Sequence, residues 1–244
     1  MKQEKISFKF RLKLFSTILK KDIKSEVRPI PAIIILEPFS VRFLIAIFIF
    51  SSAYNYSTQV QNMPLEIYVI ENWFIIFFIL IFIMTKLFTQ EKESGTLGGL
   101  ITSPVSASTI LLGKIIFGFI LLTFVEIIIF FISFFLSAPP IQNLGFQQML
   151  NYMVMGVILP TIDLSICGGL VSAFSMHVKN KSFVLPILLF PLILPIITPI
   201  ISLNIGLFEG NLITTLYYEL IFIIAHITLM ISIIVIISQT LLYD

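Results

Sequence analysis

Four ionisable side chains lie deep in apolar stretches of this 244-residue sequence: Glu126, Asp163, Glu219 and His226. A carboxylate held at the centre of a bilayer costs about 2.5–3.5 kcal/mol on insertion scales, so such groups face protein, water or one another. Glu126 follows Lys114 by 12 residues and Asp163 precedes His177 by 14. At 1.5 Å of rise per residue, these spacings put the two carboxylates roughly 18 and 21 Å below the same membrane surface. Glu219 and His226 are seven apart, two turns along one helical face. The functional reading open to the four is a substrate or conformational pathway. The plainer alternative, favoured for each residue taken singly, is hydrogen bonding between helices. Cys167 is the only cysteine, so no internal disulfide is available, and no CxxCH haem-attachment motif occurs. It reads as a small packing residue. His177 falls at a membrane edge, and neither it nor His226 has an evident second ligand. The sequence therefore predicts no metal site and no resident haem site.

A second cluster of polar residues breaks the apolar pattern: QEKESGTLGGLITSPV, residues 90–105. Leu97, Leu100 and Ile101 fall at i, i+3 and i+4, a short apolar stripe. Ser94 or Thr96 can cap a helix there, and Pro104 prevents its continuation. Gly98 and Gly99 each cost about 1 kcal/mol of helix stability relative to alanine. Such a helix is marginal alone and becomes sensible when it docks on a partner. An ordinary solvated loop accounts for the same pattern equally well.

These residues must be held by membrane helices. The chain is 58% hydrophobic and 11% charged, with mean hydropathy +1.07, whereas soluble domains carry about 25% charged residues. Six apolar blocks occur, at 39–56, 67–88, 108–136, 149–176, 183–203 and 212–238. They are continuous rather than alternating, which excludes a membrane β-barrel and predicts helices. Of the fifteen lysines and arginines, nine precede Pro29. The others are Arg42, Lys86, Lys92, Lys114, Lys179 and Lys181. All fall on one side if both termini are cytoplasmic. Glu66, Glu71 and Glu209, with Tyr54, Tyr56, Trp73, Tyr217 and Tyr218 as interfacial aromatics, then mark the opposite side. Within residues 1–28, Phe8, Leu12, Phe15, Leu19 and Ile23 share a helical face while Lys9, Lys13, Lys20 and Lys24 lie away from it. This pattern predicts an amphipathic helix on membrane lipids; the plainer alternative is a solvated basic tail that only sets topology, which leaves the apolar stripe without a purpose, and no nucleic-acid partner is expected. Residues 29–244 form the permease domain that the six blocks predict. In the fifth block Pro186, Pro191, Pro195 and Pro199 predict a kinked span with freed carbonyls, and in the fourth Gly156, Gly168 and Gly169 predict close helix packing.

The run EKESGTLGGLITSPVSASTILLGK resembles the corresponding region of the CcmB family, the membrane subunit of the ABC-type haem exporter of cytochrome c maturation. The matching positions are Glu91, Glu93, Gly95, Thr96, Leu97, Leu100, Ser103, Pro104, Leu112, Gly113 and Lys114. The resemblance continues in LKKDIKSEVR near the start, in Trp73, and in the proline-rich FVLPILLFPLILPIITP. Wider ABC-2-type permeases share the E-x-x-x-G-T-L and Ser-Pro elements. The resemblance implies an all-α permease of six transmembrane helices preceded by an interfacial helix, with residues 90–105 as the coupling segment. It also implies a CcmA-like ATPase partner, CcmC-like and CcmD-like membrane partners, the chaperone CcmE acting indirectly, and haem as substrate rather than cofactor. The membrane implied is the cell's inner membrane or that of the mitochondrion. The chain has no G-x-x-x-x-G-K-[ST] phosphate loop, so the sequence points to a transporter subunit and not an enzyme. Another ABC-2 exporter, for a lipid, glycan or drug, shares most of the motif. A secondary transporter fits less well, because no inverted repeat is evident. A membrane scaffold leaves the Gly-rich segment unexplained.

Overall fold

Long apolar blocks in lipid must satisfy their backbone hydrogen bonds internally, and in the computed structural model every element among the described residues is helical. The structure describes residues 13, 15–21, 63–93, 95, 98–99, 106–137, 145–175, 178, 181–211 and 213–243. In chain order the helices are α1 (Leu65–Glu93), α2 (Ala107–Ser137), α3 (Phe146–Asn151), α4 (Leu159–Ser175), α5 (Lys181–Phe208) and α6 (Tyr217–Tyr243). A π-helical stretch, Tyr152–Ile158, joins α3 to α4, and a 3₁₀ turn, Ile213–Thr215, precedes α6. Among the described residues, five helical segments have the length and hydropathy to cross a membrane: Leu65–Met84, Ala107–Phe134, Phe146–Ser175, Val184–Phe208 and Tyr217–Ser238. The protein is therefore an all-helical, multi-pass membrane protein. The first apolar block, 39–56, and Arg42 lie outside the described residues, as does most of the N-terminal segment.

The five spans are unequal. In the Phe146–Ser175 span 72% of the apolar window is buried, against 17% in Tyr217–Ser238, so α4 is the centre of the bundle and α6 its rim. Small residues bring α4's neighbours close. A Cβ on Gly168 would stand 2.3 Å from Met84 Cγ of α1, and one on Gly169 would stand 2.3 Å from Ile115 Cγ1 of α2. The pair thus faces two helices at once, the close approach that small residues permit in membranes.

Residues 15–21 are helical, and the Thr17 hydroxyl donates to the Lys13 carbonyl at 2.8 Å. Phe15, Ile18 and Leu19 are half-buried while Lys13, Lys20 and Lys21 are exposed. Ile18 packs on the core, beside Gly113 near the start of α2. It had no place in the apolar stripe read from the sequence. Trp73 departs from expectation more sharply. It is not an interfacial aromatic but is fully buried, with ring centroids 6.1 Å from both Phe77 and Phe130. Tyr217 and Tyr218 are exposed, as an interfacial position requires. Lys114, counted among the flanking cations, is buried.

Candidate functional site: the polar seam of the central helix

Each polar group on a buried transmembrane helix needs a partner, because lipid supplies none. On α4 and the π stretch before it, these groups reach all four neighbouring helices. Ser172 Oγ donates to the Met84 carbonyl of α1 at 2.5 Å. Thr161 Oγ1 donates to Glu126 Oε2 of α2, while lying 2.7 Å from its own helix's Val157 carbonyl. Asn204 Nδ2 of α5 donates to the Gly156 carbonyl at 3.1 Å. His226 Nδ1 of α6 lies 2.9 Å from both Asp163 carboxylate oxygens. Thr161 and Asp163 are two residues apart, so one turn of α4 sends a contact to α2 and another to α6.

The Asn204 contact has a local cause. Pro160 has no N–H, so the Gly156 carbonyl, four residues earlier, loses its α-helical donor. Just upstream the ladder has already slipped, and the Leu159 N–H reaches back five residues to Val154. Asn204 crosses from α5 to supply the missing donor. It can do so because Gly156 has no side chain; a Cβ there would stand 3.0 Å from Asn204 Oδ1. π-Helical turns inside α-helices occur frequently at functional sites.

Asp163 and Cys167 are fully buried, and they stand one turn apart on the face of α4 that meets α6. Cys167 Sγ is 3.9 Å from Asp163 Oδ1. With His226 they form a group whose ligand atoms all lie within 4.8 Å of one another, the one such group among the described residues. The sequence reading left His226 without a partner and treated Cys167 as packing; the structure joins both to Asp163.

A chain of aromatic rings extends the seam toward the end of the bundle where α1 begins. Trp73 meets Phe130, Phe130 meets Tyr152 at 5.9 Å, Tyr152 meets Phe208 at 4.1 Å, and Phe208 meets Tyr68 at 6.0 Å. Buried among them, Asn72 Oδ1, Trp73 Nε1, Glu126 Oε1, Tyr152 Oη and Asn204 Oδ1 have no hydrogen-bond partner among the described residues. Buried polar atoms of this kind normally hold water. Five of them in one region mark a polar strip through an otherwise apolar interior.

The remaining sequence candidates fall elsewhere. Glu219 is half-buried in the first turn of α6, two turns from His226, and does not join the Asp163 group. Pro186, Pro191, Pro195 and Pro199 all lie inside α5, which is continuous from Lys181 to Phe208; Pro191 and Pro195 are exposed. Glu91 and Glu93 form the last turn of α1. Gly95 follows at φ +70°, a left-handed geometry that glycine adopts freely and that commonly ends helices. Gly98 and Gly99 are helical and exposed. Thr96, Leu97, Leu100, Ile101, Ser103 and Pro104 lie outside the described residues, as does His177. α2 then starts behind Ser106, whose hydroxyl is 2.7 Å from Thr109 Oγ1. Thr161, Ser172, Asn204 and Cys167 carry the seam, and none stood out as a site residue in the sequence. Pro160, four residues after Gly156, was the one local signal of an unmet carbonyl.

Residues 24–197, well over half of the chain, match the family described as ABC-2 family transporter protein. No curated protein and no solved structure matches.

Proposed function

Because this chain belongs to the ABC-2 family of transporter membrane proteins, we propose that it is the permease subunit of an exporter serving haem delivery in cytochrome c maturation. Membership of that family implies an ATPase partner. In this reading the ATPase is a separate, CcmA-like polypeptide that docks on residues 90–105. The supporting observation is the way α1 leaves the membrane. Its apolar span ends at Met84, yet the helix runs on to Glu93 before Gly95 turns it. Nine further residues of helix carry the chain about 13 Å past the span. The described residues that follow, Gly95, Gly98 and Gly99, are exposed, and in this reading the segment SGTLGGLITSP is what a soluble ATPase meets. Glu91 and Glu93 would pair with basic residues on the rim of that partner, and Leu97, Leu100 and Ile101 would enter its groove.

Haem as cargo rests on the motif and on the proline-rich fifth span that resemble CcmB. The CcmC-like and CcmD-like partners, the inner-membrane location and the cytoplasmic placement of both termini rest on that resemblance together with the lysine and arginine pattern. The polar seam of α4 supplies the moving part. Each of its interhelical contacts is a single hydrogen bond or pair, weak enough to exchange as α4 shifts under the ATPase stroke. A second reading has its own observation. Phe74, Phe77, Phe78 and Ile81 of α1 and Leu189, Phe190, Ile193 and Ile197 of α5 line an open apolar cleft. A cleft with so little polar surface also suits the acyl chain of an exported lipid.

Deleting the chain's gene in its host and assaying covalent haem on c-type cytochromes distinguishes the cargoes. The haem reading expects apocytochromes to accumulate. Full maturation, together with an altered lipid or glycan content of the outer leaflet, would transfer the assignment to the second reading.

A further inference from the structure

We propose that Asp163, Cys167 and His226 form a transition-metal site at the centre of the membrane domain. This proposal is independent of the cargo. One carboxylate, one thiol and one imidazole converge from α4 and α6, with all ligand atoms within 4.8 Å of one another. His226 Nδ1 is 2.9 Å from each carboxylate oxygen, and Cys167 Sγ is 3.9 Å from Oδ1. A tetrahedral ion with bonds of 2.0–2.3 Å needs ligand-to-ligand edges of about 3.3–3.7 Å. The present separations bracket that range. A nitrogen–oxygen gap opening by about 0.4 Å, a sulfur–oxygen gap closing by about 0.3 Å, and the sulfur–nitrogen gap, now within 4.8 Å, drawing in to about 3.6 Å by a turn of the two side chains would seat the metal.

The donor set selects the ion. Oxygen, nitrogen and sulfur together fit Zn²⁺, Co²⁺ or a copper or iron ion, and they disfavour Ca²⁺ and Mg²⁺, which take oxygen ligands. Charge balance points the same way. A divalent ion bound by one carboxylate, one thiolate and a neutral imidazole has no net charge, which is the form of the site that low-dielectric surroundings tolerate best. Binding forms the metal–sulfur bond and breaks the Cys167 S–H bond, and the proton leaves to water. The existing Nδ1–H···carboxylate contact is given up: the imidazole proton shifts from Nδ1 to Nε2, and the freed Nδ1 lone pair and the Asp163 carboxylate each bond the ion. Asp163 and Cys167 are fully buried and His226 stands at the edge of α6, with 9% of its side chain exposed. Three protein ligands leave a fourth position open, as in zinc sites that exchange a ligand rather than closed structural ones. Asp163 lies 12 residues from Ser175 along a 30-residue span, and His226 lies nine residues into α6, so the site sits near mid-membrane. A polar clamp between helices needs only the aspartate and the histidine. The sulfur one turn along the same face is what turns the clamp into a chelate.

The test is a Co²⁺ titration of the purified full chain in detergent or nanodiscs, followed by optical spectroscopy. The chain has a single cysteine, so any thiolate-to-cobalt charge-transfer band reports Cys167 alone. One equivalent of Co²⁺ with that band and strong tetrahedral visible absorption is expected, with the band bleached by Zn²⁺. Cys167→Ser should abolish the charge-transfer band while leaving helical content and elution volume unchanged. His226→Gln should weaken Co²⁺ binding at least tenfold. A wild-type chain that elutes as a folded species and shows no thiolate band at saturating Co²⁺ overturns the site. A band that persists in Cys167→Ser does so as well.

Discussion

Asn204→Leu tests whether a side chain from α5 replaces the backbone donor that Pro160 denies to α4. The substitution keeps side-chain volume and removes the amide that donates to the Gly156 carbonyl at 3.1 Å. Hydrogen bonds between membrane helices average about 0.6 kcal/mol and reach about 1.7. Leaving the buried carbonyl unmet raises the cost towards the 1–3 kcal/mol of an unsatisfied polar group. Loss of Asn204 Oδ1, which has no partner among the described residues, offsets part of that. The net expectation is a loss of about 1–2 kcal/mol. The decisive step is the second substitution. Pro160→Ala restores an N–H four residues beyond Gly156, so in the Asn204→Leu background it should recover at least about 0.5 kcal/mol, a coupling within the range of contacting residues. Equilibrium unfolding in mixed micelles can be followed through Trp73, the single tryptophan, which is fully buried beside Phe130. A cost for Asn204→Leu within about 0.3 kcal/mol of zero, or a double variant no more stable than the single one, would refute the donor-replacement account.

Gly169→Ala should destabilise the bundle by about 1–3 kcal/mol, the cost of overpacking, and by more than Gly168→Ala. The new methyl at 169 meets the β-branched Ile115 of α2, whereas at 168 it meets the flexible Met84; chemical unfolding of the two variants gives the order directly. Thr161→Val should cost about 0.6–1.7 kcal/mol by removing the hydroxyl that satisfies Glu126. The loss should largely vanish in a Glu126→Leu background, where no buried carboxylate is left unmet, and the same unfolding assay measures that coupling.

The five described spans and their order were legible in the sequence, because a run of some twenty apolar residues has one stable form in lipid. The helix α2, Ala107–Ser137, differs from the apolar block 108–136 by one residue at each end. Ends were less legible where polarity and geometry part company. The block ending at 203 continues as helix to Phe208 through the buried Asn204. The block starting at 212 becomes α6 only at Tyr217, because Ile213–Thr215 forms a 3₁₀ turn. The seam was half legible. Glu126, Asp163 and His226 stood out as charges in apolar surroundings, but their partners did not. Asp163 and His226 are 63 residues apart, and which faces of two helices meet depends on packing that no local pattern encodes. Thr161, Ser172 and Asn204 are ordinary residues in membrane helices and acquire meaning only from the carbonyl or carboxylate opposite. Trp73 was misread for the same reason. A tryptophan near a helix end is normally an interfacial anchor, and here Phe77 and Phe130 enclose it.

Energy input through the connection between α1 and α2 is the central claim, and replacing Leu97 and Leu100 together by Asp tests it most directly. The chain is purified from its own membranes with its partners under mild detergent, and ATP hydrolysis is measured in the eluate. The wild-type chain should retain a polypeptide with a phosphate-binding loop and hydrolyse ATP. The double variant should elute as a folded membrane subunit without either. Undiminished ATPase retention and turnover in the double variant would contradict the claim.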